Sequence, residues 1–157
     1  MMRRALIALV LLCASPAAAE EVVALEWSDL LPQGGAAMVG EIAHEDTARA
    51  AGSAQSVALR RDWDGRLVSL PGYVVPLDYD GTGTTAFILV PFVGACIHVP
   101  PPPANQLVMV TTERPYEIKG AFDAVVVTGM FGAAAASTAL AEVGYALSAE
   151  RIETYPR

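Results

Sequence analysis

The sequence predicts an all-β fold, a small antiparallel barrel of the OB-like type, with a β-sandwich as the alternative. Five or six short segments rich in Val, Ile, Leu and aromatic residues are separated by Gly, Pro and Asp, which is the pattern of a small barrel or sandwich. No stretch has the 3.6-residue apolar period of a long helix. One long strand is interrupted at Pro71–Gly72, as a closed barrel requires where a strand turns a corner.

The N-terminus has the pattern of a cleaved signal peptide. Arg3 and Arg4 precede an apolar run, and the small residues Ala17–Ala19 precede Glu20. The apolar run is shorter than the about 20 residues that a membrane span needs. The residue before Cys13 is leucine, whereas lipoprotein signals usually place a small residue there. We therefore expect a periplasmic chain with no stable membrane anchor.

These features divide the chain into three parts. Residues 1–19 form the signal peptide, and residues 20–55, rich in Gly, Ala and polar residues, form an irregular N-terminal arm and loop excursion. Residues 56–157 form the β-barrel domain, to which residues 25–32 also belong.

Charge excludes one class of partner. Without Arg3 and Arg4 the basic residues fall from 10 to 8 against 17 acidic residues, which gives a net charge of −9. Nucleic-acid binding depends on a basic surface, so we expect no nucleic-acid partner.

The first half of the predicted domain is read from apolar runs and turn residues. Residues 25–31 form a short helical turn, and residues 60–65 end in an Asp-Gly turn. Residues 66–77 form the long interrupted strand. Residues 78–83 form a turn, and residues 84–93 form the next strand.

The second half continues the same alternation of strands and loops. Residues 106–112 form a strand and residues 113–121 a loop. Residues 122–131 form a strongly apolar strand, and the alanine-rich residues 132–140 a loop or short helix. Residues 143–155 alternate between apolar and polar side chains and close the domain.

The most unusual chemistry lies in residues 90–106. After cleavage Cys96 is the one remaining cysteine, so no intramolecular disulfide can form. Cys96 and His98 are two residues apart. If the preceding strand continues through them, both side chains leave the same face, with Cα atoms about 6.5–7 Å apart.

This pair predicts a transition-metal site. Thiolate and imidazole suit Zn²⁺ or a copper ion, but a structural zinc has four ligands and a catalytic zinc three and a water. The metal ligands that we consider are Cys96 and His98, with His44, Asp78, Asp80, Glu113 or a second chain for the remainder.

Two other interpretations of the pair stay open. In the structural one Cys96 is buried, His98 donates to a backbone carbonyl, and amide side chains satisfy the backbone groups that prolines leave free. In the enzymatic one His98 activates Cys96 as a nucleophile. No third orienting group and no phosphate-binding or hydrolase motif accompanies them, so we expect a protein that is not an enzyme.

The four consecutive prolines favour a docking surface as a further interpretation. A polyproline II segment is stiff, so it loses little entropy when a partner binds it. The candidate docking residues are Pro100, Pro101, Pro102, Pro103, Asn105 and Gln106.

Two strings resemble a known family. Leu70-Pro-Gly-Tyr-Val-Val-Pro-Leu77 and Gly94-Ala-Cys-Ile-His-Val-Pro-Pro-Pro-Pro-Ala-Asn-Gln106 are similar to the bacterial secreted family catalogued as domain of unknown function 3299. The resemblance extends roughly from Trp27 to Tyr155. It implies a periplasmic protein or lipoprotein, related to some encoded beside ABC-type export or metal-handling systems, and it supplies no catalytic residue.

We therefore expect a periplasmic, non-enzymatic accessory protein that binds a zinc-like transition metal at Cys96 and His98. We expect it to act with a component of an ABC-type transport system. The alternatives are a protein-docking module with a buried, metal-free cysteine, and a thiol-dependent enzyme. The sequence leaves the oligomeric state open.

Overall fold

The computed structural model describes residues 21–32, 58–79, 81–95, 102–120 and 122–155. The strands in these ranges are β1 (Val23–Ala24), β2 (Arg66–Pro76), β3 (Thr84–Val90), β4 (Val108–Tyr116), β5 (Ala124–Ser137) and β6 (Glu142–Thr154). Two 3₁₀ turns, Trp27–Leu30 and Ala104–Gln106, accompany them. None of the helical segments in these ranges is long and apolar enough to cross a membrane. The predicted signal peptide and most of the predicted arm lie outside the described residues.

The strands form a single sheet whose hydrogen bonding runs in a ring. Their order is β1-β2-β3-β4-β6-β5, and β2 also pairs with β5, so the five longer strands are joined without a break. The prediction of an all-β, barrel-like fold is confirmed. The ring is less regular than a simple antiparallel barrel, because β4 and β6 are parallel and the β5–β6 pairing shifts register twice.

The long strand β2 exchanges partners in its middle. Its first half pairs with β5, from Arg66 to Tyr73, and its second half pairs with β3, from Tyr73 to Pro76. The exchange follows Gly72, where a Cβ atom would lie 2.7 Å from the Leu89 Cγ atom. Glycine is required at this position because the chains approach too closely for a side chain.

The ring encloses one main apolar core. Its fully buried members include Phe87 from β3 and Tyr145 from β6. The Tyr145 ring stacks on Phe131, with centroids 5.1 Å apart. A second buried cluster joins Ile88 and Val90 of β3 to four further apolar residues, Val75, Ala95, Leu107 and Val143.

The segment before the ring belongs to the same core. β1 adds to β2 in parallel, and the Leu25 N–H donates to the Ser69 carbonyl at 2.9 Å. Leu25 and Leu30 are buried in the main cluster. The buried Tyr145 hydroxyl donates to the Leu30 carbonyl at 3.0 Å. Residues 25–32 are therefore part of the domain's packing.

Three strand ends differ by three residues or more from the sequence-based expectations. β3 ends at Val90 instead of residue 93, since Pro91 has no N–H for the ladder. β4 continues to Tyr116, through part of the predicted loop 113–121. β5 continues to Ser137, where a loop or short helix was expected, because pairing with β6 outweighs the weak strand preference of Ala and Gly.

Candidate functional site

The residues that lead to the Cys-x-His pair form a turn. β3 ends six residues before Cys96, and residues 91–95 form bends and turns in which Gly94 has a φ of +86°. The chain therefore does not continue as a strand from Val90 to Ala95. The expectation that both side chains leave one face assumed such a strand. Cys96 and His98, with Pro100 and Pro101, lie outside the described residues.

The described end of the proline run leads into a 3₁₀ turn, Ala104–Gln106, that contacts the domain. Pro103 has φ −61° and ψ 152°, the polyproline II values expected for the run. The following 3₁₀ turn places the Gln106 Nε2 group 3.1 Å from the Trp27 carbonyl, to which it donates. Asn105 is 4% exposed, and no described residue donates to its Oδ1 atom.

Asp78 closes the loop that joins β2 to β3. Its carboxylate accepts from the Thr85 N–H at 3.0 Å, the Ala86 N–H at 2.9 Å, and the hydroxyls of Thr84 and Thr85 at 2.5 and 2.6 Å. These bonds, led by those from the two hydroxyls, hold the pKa of Asp78 well below its usual range. The geometry gives this carboxylate a structural task in the loop.

Asp78 and Glu113 lie near one end of β3, far from the end that leads to the motif. Thr84 pairs with Tyr116 at one end and Leu89 with Val108 at the other, five steps or about 17 Å away. Glu113 is exposed on β4. His44 and Asp80 lie outside the described residues. Within the ranges that the structure describes, no three His, Cys, Asp or Glu side chains group into a metal site.

The second half of β2 has an edge that no described strand pairs with. The Val74 N–H donates to the Asp123 carbonyl at 3.0 Å, just after the last β5 pair at Tyr73. Backbone groups of consecutive residues face opposite sides of a strand, so Pro76, two residues after Val74, faces the same side as Val74. Because proline has no N–H, this edge offers no donor there.

A short segment after β4 covers this edge and is fixed by Asp123. The Asp123 carboxylate accepts from the Lys119 N–H at 2.5 Å and from the Tyr116 hydroxyl at 3.3 Å. Burial raises the pKa of Tyr116 to about 12, and the nearby Asp123 charge adds to this effect. Phe122 has a φ of +58°, a left-handed conformation that is uncommon for a bulky residue.

An apolar groove lies between this segment and the β2 edge. Its volume is about 440 Å³, within the range of ordinary ligand pockets. The groove is lined by Val74, Val75, Pro76, Tyr79, Ile118, Gly120 and Phe122. Tyr79 is 62% exposed at its mouth. The chemistry of this lining suits an apolar side chain rather than a reacting group, because no titratable group other than Tyr79 lines it.

Comparison with known proteins assigns the chain to a family. A family model described as "Protein of unknown function (DUF3299)" matches residues 27–154. The chain belongs to this family. A crystal structure of a DUF3299 family protein from Pseudomonas aeruginosa PAO1 is 34% identical, with a TM-score of 0.75, and the match covers 87% of this chain and 98% of that one. No curated protein matches the sequence.

Sequence reasoning did not find the groove of this DUF3299 protein. Its lining comes from two separate parts of the chain, residues 74–79 and 118–122, and nothing in either part shows that they meet. Two signals were present in the sequence: Pro76 near the end of an apolar strand, and Ile118 within a predicted loop that precedes the predicted strand beginning at Phe122. Apolar residues in a loop predict packing against a neighbour, but not which neighbour.

Proposed function

We propose that this protein is a periplasmic, non-enzymatic accessory protein that binds a partner protein through the apolar groove. The observation that carries the proposal is the groove itself, an apolar concave surface lined by Val74, Pro76, Ile118 and Phe122. An apolar side chain that enters it would remove apolar surface of both proteins from water. A component of an ABC-type transport system is the class of partner that the family resemblance implies.

The edge favours insertion of a side chain over addition of a strand. A strand that pairs with an open edge needs donors and acceptors in alternation, and Pro76 supplies no donor. The partner therefore contacts the groove through side chains. Burying one Leu or Phe side chain contributes about 1.5–3 kcal/mol, so tight binding requires further contacts around the groove.

Site-specific photocrosslinking in cells tests this proposal. A benzophenone amino acid replaces Tyr79, and a matched one replaces Leu140, which is 50% exposed and does not line the groove. We expect a discrete crosslinked product from position 79 that is absent from position 140. We also expect Ile118→Asp to abolish it, because a carboxylate is costly to bury in an apolar site. A product at neither position, or the same product at both, would contradict the proposal.

We propose metal binding at Cys96 and His98 as a second candidate function. The donor types suit zinc or copper. The buried Asn105 Oδ1 atom, with no partner among the described residues, supports a further cation or donor on the segment that follows the motif. A buried acceptor without a partner costs about 1–3 kcal/mol, so an occupant that satisfies it would stabilise the fold.

Elemental analysis of the untagged protein, purified from the periplasm, tests the second candidate. We expect near-stoichiometric zinc or copper that is lost in the Cys96→Ala/His98→Ala double variant. Metal-free wild-type protein with an unreactive thiol would contradict metal binding and leave the groove proposal unaffected.

A further inference from the structure

We infer that the protein forms a two-fold dimer in which Pro102 and Pro103 of each copy enter an aromatic pocket of the other copy. The pocket has a volume of about 240 Å³ and shares no lining residue with the apolar groove, so the inference is independent of the proposed function. Three aromatic residues and two prolines dominate its lining: Trp27, Tyr73, Tyr155, Pro71 and Pro91.

The pocket lies where β2 exchanges partners. Tyr73 is the residue at which β2 passes from pairing with β5 to pairing with β3. The Tyr155 N–H donates to the Ala124 carbonyl at 2.9 Å, which holds the end of β6 against β5. The Trp27 indole N–H donates to the Pro71 carbonyl at 2.7 Å. Hydrogen bonds therefore fix aromatic residues from three separate parts of the chain around one pocket.

The chemistry of the lining suits a polyproline II segment. Aromatic-lined grooves are the usual sites for such segments, whose prolines present carbonyl acceptors and no N–H donors. The hydroxyls of Tyr73 and Tyr155 have no hydrogen-bond partner among the described residues, so they can donate to those carbonyls. No charged side chain of the described ranges lines the pocket, which favours an uncharged occupant over an ionic one.

The chain itself supplies such a segment beside the pocket. Pro103 is exposed and has polyproline II backbone angles. The 3₁₀ turn that follows it is attached to the pocket wall, because the Gln106 Nε2 group donates to the Trp27 carbonyl at 3.1 Å. Two complementary patches that lie side by side pair reciprocally with a second copy across a two-fold axis. Each dimer would therefore contain the proline-to-pocket contact twice.

Sedimentation equilibrium of the untagged protein over a wide concentration range tests the inference. We expect a concentration-dependent dimer. Pro103→Ser and Tyr155→Ala should each raise its dissociation constant about tenfold or more, because either variant removes both copies of the contact. Tyr79→Ala is the matched control, since Tyr79 is an exposed tyrosine outside the pocket lining. It should leave the dissociation constant unchanged.

A mixture of the two variants separates reciprocal exchange from damage to the fold. In a heterodimer of Pro103→Ser with Tyr155→Ala, the intact pocket of the first receives the intact prolines of the second. One of the two contacts is then restored, so we expect the mixture to associate more tightly than either variant alone. Equally weak association of the mixture and of both single variants would overturn the inference.

Three further results would also overturn it. The first is a monomer at every concentration. The second is a dimer that Tyr79→Ala weakens and Tyr155→Ala does not, which would place the interface at the groove. The third is a monomer that binds a peptide of residues 99–105, detected through the fluorescence of Trp27 in a Trp63→Phe variant. That result would assign the pocket to a different proline-rich protein.

Discussion

The two halves of β2 differ in how the strand edge that is not paired within the ring is covered. Each half has one edge paired within the ring and one edge left over. Beside the first half, β1 covers the remaining edge with backbone hydrogen bonds, including the one from Leu25 to Ser69. Beside the second half no described strand covers it. The segment that contains Ile118 and Phe122 stands over that edge and leaves an apolar groove between them.

This difference separates a structural edge from a binding edge. An unpaired strand edge is a site for unwanted association, and proteins block it with a cover, with charge or with proline. The first half has the cover, and Leu30 and Trp27 add side-chain contacts to it. The second half has Pro76 and an apolar lining instead, which prevents strand addition but still admits a side chain.

The largest loss of stability is expected in the segment that covers the first half of β2, at Leu30, which is buried in the core. Leu30→Ala removes a fully buried side chain and should lower the free energy of unfolding by about 3 kcal/mol. Ile118→Ala, on the half-buried groove wall, should cost less than about 1 kcal/mol. Urea denaturation of both variants checks the difference. Equal losses would mean that the two edges contribute alike to stability.

The next effect is at the junction of the two halves. A Cβ at Gly72 would lie 2.7 Å from Leu89 Cγ and 2.9 Å from the Val90 carbonyl oxygen. Gly72→Ala should therefore destabilise the fold by about 2 kcal/mol through overpacking. Gly132→Ala is the matched control, because a Cβ there meets nothing within 4 Å. Thermal unfolding of the pair measures the effect, and an unchanged Tm for Gly72→Ala would contradict the described approach of β2 and β3.

A smaller contrast involves two tyrosine hydroxyls. The Tyr145 hydroxyl accepts from the Arg60 N–H at 2.8 Å and donates to the Leu30 carbonyl, so it fixes the covering segment. Tyr116 has one longer bond to Asp123. We expect Tyr145→Phe to lower the free energy of unfolding by about 1–2 kcal/mol and Tyr116→Phe by less than about 1 kcal/mol. A larger loss for Tyr116→Phe than for Tyr145→Phe in denaturant titrations would contradict this contrast, because it would show that the segment beside the second half of β2 depends more on its tyrosine hydroxyl.

The smallest effect concerns Asp78, beside the open edge. Its folded pKa is below the ordinary value of 3.8, so the unfolded state binds the proton more readily. Its contribution is complete above that value and is lost as pH falls through the folded pKa. Asp78→Asn should therefore be less stable than wild type at pH 6, and this deficit should shrink on acidification. A deficit that stays constant between pH 6 and pH 2.5 would contradict the role of the charge.

Much of the fold follows from local patterns, because strands and turns carry their own signals. The long strand around Pro71–Gly72, the Asp64-Gly65 turn and the helical turn near Trp27 are all present in the structure. The extension of β5 to Ser137 was missed because its alanines have no strand preference. The extension is a strand because it pairs with β6, where Ala133 lies opposite Tyr145 and Ala136 opposite Val143.

The candidate site was less predictable, because it depends on contacts between distant residues. Asp78 was read as a potential metal ligand from residue type alone, whereas its position places it against Thr84, Thr85 and Ala86. The groove requires residues about 40 positions apart in sequence to meet. No local hydrophobic period or sequence motif indicates that these residues are in contact.

Carbene footprinting tests the central claim most directly, because it compares both edges in one sample. A diazirine reagent labels exposed apolar side chains in the purified protein and in intact cells. We predict that Tyr79 and Ile118 are labelled in the purified protein and protected in cells. Val22 and Leu140, which are exposed elsewhere, should be labelled alike in both. Equal labelling of the groove in the two samples, or protection at Val22 instead, would contradict the account of the second half of β2 as the binding edge.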